Sequence, residues 1–236
     1  MKLDGSRDVH VWKIDLTSNV LDQFFNIMSV DEQAKAARYY TTQLQQQYVR
    51  GRCALRLLLA MYLGVAASEI VFKYGPFGKP ELDTPSGTNL HFNLSHSEQF
   101  ALIAVASNVI GVDLEYVQRP DLDVKGLIEI VCHPLEQAAF SLLTEQRQPL
   151  FFYEIWSRKE AYCKARGVGL QAKLHNLHIV LGPAPGIGRV LEEFDAQISN
   201  FYSYALVLPD TDNDYRASVC LCISDAIINL RRWPEV

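Results

Sequence analysis

Gly111-Val-Asp113-Leu-Glu115 sets two carboxylates two residues apart. Strand side chains alternate, so Asp113 and Glu115 would share one face while Val112 and Leu114 take the other. Acidic residues are poor strand formers, and carboxylates about 6 Å apart repel by roughly 3 kcal/mol at an effective dielectric near 20. A hard divalent cation with oxygen ligands offsets that repulsion. Solvent on an exposed edge strand would also tolerate such a pair. A second group, Trp156, Glu160 and Lys164, is spaced by four and lines one helical stripe, with Lys159 beside it. A carboxylate next to two ammonium groups suits a site that holds both metal and phosphate. The same spacing on a solvated helix is a weak surface ion pair.

Two further segments carry polar groups of the right kind. Phe92-Asn-Leu-Ser95-His96-Ser97 reads as a strand ending in a polar turn. Its Ser95 and His96 can both donate to a phosphate, the histidine more strongly when protonated. A capping serine beside a surface histidine is the plainer alternative. No GxSxG elbow accompanies them, so a serine hydrolase is not indicated. Gly78-Lys79-Pro80 holds a lysine between two backbone-constraining residues, suited to gripping a phosphate or simply to a surface turn. His175 and His178 lack an acidic or cysteine neighbour and read as loop residues. The glycines at 186 and 188 open no helix pattern, so no dinucleotide fingerprint is present, and no GxxxxGK[ST] loop occurs.

The elements that must position these groups follow from periodicity. Val9–Leu16 alternates and reads as a strand. Ser29 and Glu32 form a capping box opening a short helix. A long helix spans about Gln43–Leu63 and ends at Gly64, carrying Arg50, Arg52 and Arg56. Tyr74–Thr88, rich in Gly and Pro, reads as loop. Strands are expected at Leu90–Leu94, Ala101–Ser107 and Val109–Tyr116, and helices at about Leu122–Val131 and from Pro134. A long helix at about Pro149–Arg166 ends at Gly167, and strands are expected near Leu177–Leu181, Tyr202–Leu208 and Ala217–Ile223. The mixture predicts an α+β protein of two intimately packed halves, residues 1–110 and 111–236.

With 236 residues, 49% hydrophobic and 21% charged, the chain is long enough to bury a core without staples. The net charge of −5 gives no reason to expect nucleic acid, so an anionic ligand would need a local concentration of Lys and Arg. Five cysteines without a CxxC pair read as reduced, buried thiols, with Cys220 and Cys222 on one face of a strand. Neither a signal peptide nor a membrane span is visible, and a cytoplasmic location is expected.

Taken in order, GKP with Lys79, FNLSHS, IGVDLE and WSRKEAYCKARGVGL resemble the Sfp-type 4′-phosphopantetheinyl transferases over Tyr74–Leu170. The resemblance implies a pseudo-twofold α+β fold of two similar halves with the active site between them. It implies transfer of 4′-phosphopantetheine from coenzyme A to a serine of an apo acyl or peptidyl carrier protein, with release of 3′,5′-ADP. It implies Mg²⁺, or Mn²⁺ in its place, held by Asp113, Glu115 and Glu160. Ser95 and His96 would contact CoA phosphates, Lys79 the CoA nucleotide, and Lys164 the phosphate under attack, with Lys159 as its neighbour. Glu160 would deprotonate the serine directly or through water. The CoA 3′-phosphate would fall to a first-half cation among Lys35, Arg38, Arg50, Arg52 and Arg56. Arg52 is preferred; Gln45-Gln46-Gln47 stands where relatives often carry a basic residue, so the contact is expected to shift by about a turn. A monomer is expected, with neither nucleic acid nor membrane as partner. Two other classes are a triphosphate-dependent transferase, which lacks its phosphate loop here, and a silent CoA- or carrier-binding module, which should have lost a carboxylate or Lys164.

Overall fold

The structure is a computed structural model that describes residues 1–83, 89–118, 123–169, 173–192, 200–211 and 214–233. Leu122, Leu170 and residues 84–88 of the Gly/Pro-rich stretch lie outside the described residues. In chain order the elements are β1 (Asp8–Asp15), α1 (Val30–Ala36), α2 (Thr42–Leu63), β2 (Phe72–Tyr74), β3 (Pro80–Leu82), β4 (His91–Ser97), β5 (Phe100–Ala106) and β6 (Ile110–Tyr116). There follow α3 (Val124–Val131), α4 (Pro134–Ser141), α5 (Gln148–Arg166), β7 (Leu177–Leu181), β8 (Ile187–Glu192), β9 (Tyr202–Leu206), β10 (Tyr215–Leu221) and β11 (Ile227–Trp233).

Two sheets lie back to back between two long helices. The first has the order β11-β1-β5-β4 and the second β6-β10-β9-β8-β7. Alternation along β1 explains the layering: Val9 and Val11 point into the core between the sheets, and Trp12, Ile14 and Leu16 point the other way, toward α2. Between the sheets Val9, Val11, Leu102 and Ala104 meet Ile110, Val112, Val219 and Leu221. Leu55, Leu58 and Leu59 of α2 cover the outer face of the first sheet, and Phe152, Ile155 and Ala161 of α5 join Ile179, Val190 and Cys220 of the second.

Helix ends sit where their caps require. Ser29 and Glu32 make the reciprocal capping box of α1, and α5 stops at Gly167, whose φ of +66° is left-handed backbone that a side chain would strain. Two expectations need correction. FNLSHS is strand throughout rather than strand and turn. The Gly/Pro-rich stretch supplies the turn and the second strand of the β2–β3 hairpin rather than loop throughout. The two halves are packed together across their boundary: β11 pairs in parallel with β1, Asp8 opposite Ile227 through Ile14 opposite Trp233. Cys222 also departs from the pattern: it follows the end of β10 and is exposed, whereas Cys220 is buried.

Candidate active site

The site forms where β4, an edge of the first sheet, runs beside β6, an edge of the second. An unpaired strand edge exposes amides that need acceptors. The alternating polar side chains of β4 supply them: Asn93 Oδ1, Ser95 Oγ and Ser97 Oγ accept from the N–H groups of Val112, Leu114 and Tyr116 at 2.8, 3.3 and 3.0 Å. The intervening His96 is exposed and lines a cleft against α2. Thus β4 presents Ser95 to one side and His96 to the other.

On β6, Gly111, Asp113 and Glu115 share the face covered by α5. A Cβ on Gly111 would stand 2.0 Å from the Ala161 carbonyl oxygen and 2.4 Å from the Ala165 nitrogen, so glycine is what lets strand and helix approach. That approach brings the stripe on α5 onto the strand acids. Trp156 Nε1 donates to Glu115 Oε1 at 3.0 Å, and Lys164 Nζ donates to Asp113 Oδ1 at 2.5 Å and to Ser95 Oγ at 2.8 Å. Ser95 Oγ donates in turn to Asp113 Oδ1 at 3.1 Å. Neither the exposed edge strand nor the solvated helix describes these residues: Asp113 is 2% exposed and Glu160 8%.

Burial is costly for a carboxylate. Asp113 Oδ2 and Glu160 Oε1 are buried without a hydrogen-bond partner among the described residues. Burial pushes Glu160 up to about 7; Lys164 opposes the shift, and the charges of Asp113 and Glu115 add to it. Although His96 keeps an exposed side on the cleft, desolvation by the protein packed around its ring, and then the Lys164 ammonium, lower its pKa below the usual imidazole range. Two orphaned carboxylate oxygens facing like charge are a donor set that a hard cation fits. Among the described residues no three His, Cys, Asp or Glu side chains already converge as an ion site.

The neighbouring cleft, about 230 Å³, is below the roughly 300 Å³ at which pockets enclose a whole drug-sized ligand, so it suits one part of a longer molecule. Lys35, Gln47, Tyr48, Arg52, Pro80 and His96 line it. Arg52 and Arg56 share the buried Glu32, at 2.6 Å each, which leaves the trio with a net positive charge beside the cleft. Lys35 Nζ lies 5.3 Å from the Tyr48 ring centroid.

Residues 109–220 match the 4′-phosphopantetheinyl transferase superfamily, and residues 12–108 match the N-terminal region of 4′-phosphopantetheinyl transferases. The 4′-phosphopantetheinyl transferase HetI of Nostoc is 38% identical over 75% of this chain and 76% of its own. The chain belongs to the 4′-phosphopantetheinyl transferase superfamily. A putative 4′-phosphopantetheinyl transferase of Synechocystis is 31% identical over 71% of this chain and 68% of its own. A 4′-phosphopantetheinyl transferase of Bacillus subtilis is 26% identical over 94% and 95%.

In this superfamily member the structure brings together Ser95, Asp113, Glu115, Glu160 and Lys164, and sets His96 and Arg52 on the adjoining cleft. Two expected ligands stand elsewhere. Lys159 is wholly buried on the other side of α5, where Nζ meets Glu136 Oε2 at 2.6 Å and the carbonyls of Val131 and Leu174 at 2.8 and 3.0 Å. Adjacent helical residues diverge by about 100°, so Lys159 turns inward where Glu160 turns to the site. Lys79 gives its ammonium to the carbonyls of Ala165 and Ile110 at 2.8 and 3.3 Å, rather than to the cleft. Arg50 and Arg56 are likewise committed, the first to Asp22 and the Leu16 and Thr17 carbonyls, the second to Glu32 and the Ala67 and Ile70 carbonyls. Glu32 was legible only as a helix cap, and its role in orienting Arg52 had no sequence signal. His178 lies in β7 rather than in a loop, and its ring stacks on His133 at 4.7 Å.

Proposed function

We propose that this protein transfers the 4′-phosphopantetheine group of coenzyme A to a serine of an apo acyl or peptidyl carrier protein. One observation carries the reading: buried Asp113 and Glu160, with Glu115 and Lys164, sit beside a cationic cleft across a single strand. Phosphoryl transfer needs charge neutralisation and in-line positioning more than covalent participation, and this arrangement offers both.

Asp113, Glu115 and Glu160 would hold Mg²⁺, or Mn²⁺ in its place. The ion would supply charge neutralisation at the pyrophosphate of CoA. Lys164 turns its ammonium to the phosphate under attack, and Arg52 and Lys35 face the nucleotide end, where the 3′-phosphate lies. His96 donates to a CoA phosphate from the cleft wall. The serine hydroxyl attacks the β-phosphorus, the bond from that phosphorus to the bridging oxygen breaks, and 3′,5′-ADP leaves. The hydroxyl proton passes to Glu160, directly or through water. Burial raises this carboxyl to about 7 in the cation-free protein, and a bound cation would lower it again, favouring the carboxylate that accepts the proton.

No helix among the described residues is long and apolar enough to cross a membrane. The reading is of a single-chain cytoplasmic enzyme, since both walls of the cleft come from one chain. The test is the intact mass of an apo carrier protein incubated with this protein, CoA and Mg²⁺. A gain of one phosphopantetheine group, lost on adding EDTA, supports the reaction and its cation. Carriers left unmodified while CoA still binds would point to a silent module, and absence of CoA binding would overturn the reading.

A further inference from the structure

We infer that Lys79 is a positioning residue, which pins the β2–β3 hairpin across the two halves and so sets the wall of the CoA cleft, rather than a ligand of CoA. The inference rests on the proposed CoA-dependent function. The hairpin is tied at both ends. At its base the Phe72 ring packs against Phe92 at 5.5 Å and lies under Arg52, whose guanidinium also donates to the Tyr74 hydroxyl at 3.3 Å. At its tip Lys79 Nζ donates to the Ala165 carbonyl in the last turn of α5 and to the Ile110 carbonyl at the start of β6.

Helix C-termini carry partial negative charge and favour a cation, so the ammonium is satisfied without an anion. The glycines that follow α5 make the seat. A Cβ on Gly167 would lie 3.4 Å from Lys79 Cδ, and one on Gly169 would lie 3.5 Å from Phe77 Cβ. Pro80, the next residue, lines the cleft with Arg52 and His96. Lys79 therefore couples the end of the helix bearing Glu160 and Lys164 to the wall facing the nucleotide.

Two variants test this, Lys79→Met and Phe77→Ala, the second loosening the same hairpin at a half-exposed residue while keeping the Lys79 ammonium. CoA affinity is read by titration calorimetry, and turnover is followed with CoA and with 3′-dephospho-CoA. Both variants should weaken CoA binding and raise its KM by about tenfold, a loss of about 1.4 kcal/mol of binding. In both, kcat should stay within about twofold, the signature of lost uniform binding. The preference for CoA over dephospho-CoA should not change. A loss of that preference in Lys79→Met, a large fall in kcat, or a silent Phe77→Ala would overturn the inference in favour of a direct phosphate contact. Should Lys79→Met fail to fold, Phe77→Ala alone decides. A wild-type protein that neither binds CoA nor modifies a carrier would instead defeat the functional reading, independently of the variants.

Discussion

Glu160 is held near 7 by burial, above its ordinary value of 4.5. The fold thus favours the protonated carboxyl. That contribution is complete below about pH 4.5 and is lost as pH rises through about 7. Cation-free protein should lose up to about 3 kcal/mol between pH 5 and 8 from this group. Glu160→Gln should flatten that slope, read from urea unfolding in EDTA across the pH range; an unchanged slope would remove Glu160 from the account. Asp113→Ala removes the acceptor of both Lys164 and Ser95 and should lower carrier modification at least about 100-fold, with the far-ultraviolet circular dichroism retained. Near-normal turnover by that folded variant would sink the metal assignment. At this scale the sequence was informative about residue type but less so about partners. The two-residue and four-residue spacings placed Asp113 with Glu115 and Glu160 with Lys164. The same reasoning put Lys159 beside them, because spacing along a helix says which side chains share a face and not which face meets the strand.

The close packing of α5 on β6 is the element on which the site depends. Gly111→Ala would drive a Cβ into the Ala161 carbonyl and the Ala165 nitrogen, both backbone atoms. Overpacking against backbone should cost about 3 kcal/mol or more and part Asp113 from Lys164. The expectation is a lowered urea midpoint and loss of transfer together; a variant of wild-type stability would show that the helix can move away freely. The long helices α2 and α5, with their glycine ends, were legible from apolar periodicity and caps, since both signals are local. The β2–β3 hairpin and β11 were not. Three-residue strands carry too little alternation to register, and β11 gains its order from pairing with β1, some 220 residues away in sequence.

That long-range pairing governs the whole molecule. The first sheet keeps its edge at β1 covered only by the C-terminal strand. Ending the chain after Asp225 should expose that edge and part of the core carrying Ile228 and Leu230. Cooperative unfolding should be lost or the urea midpoint sharply reduced, with aggregation as the accompanying sign. A truncated chain that melts like the intact one would show the two halves to be separable after all. An acidic molecule of net charge −5 can still serve an anionic ligand because its cations are distributed unevenly, with Arg52 and Lys35 on the cleft while Arg50, Arg56 and Lys159 are consumed inside.

By itself the sequence determined the α+β composition, the long helices and their ends, the alternation that puts Asp113 and Glu115 on one face, and the motif order by which the chain resembles its family. These depend on neighbours within a few residues. Tertiary structure decided which charges are tied to groups inside and which border the cleft: Lys79 on two carbonyls, Lys159 on Glu136, and Arg52 paired with Glu32 at the cleft wall. A buried charge must find a counter-group wherever packing places one, and that group lies in a segment that no local pattern names.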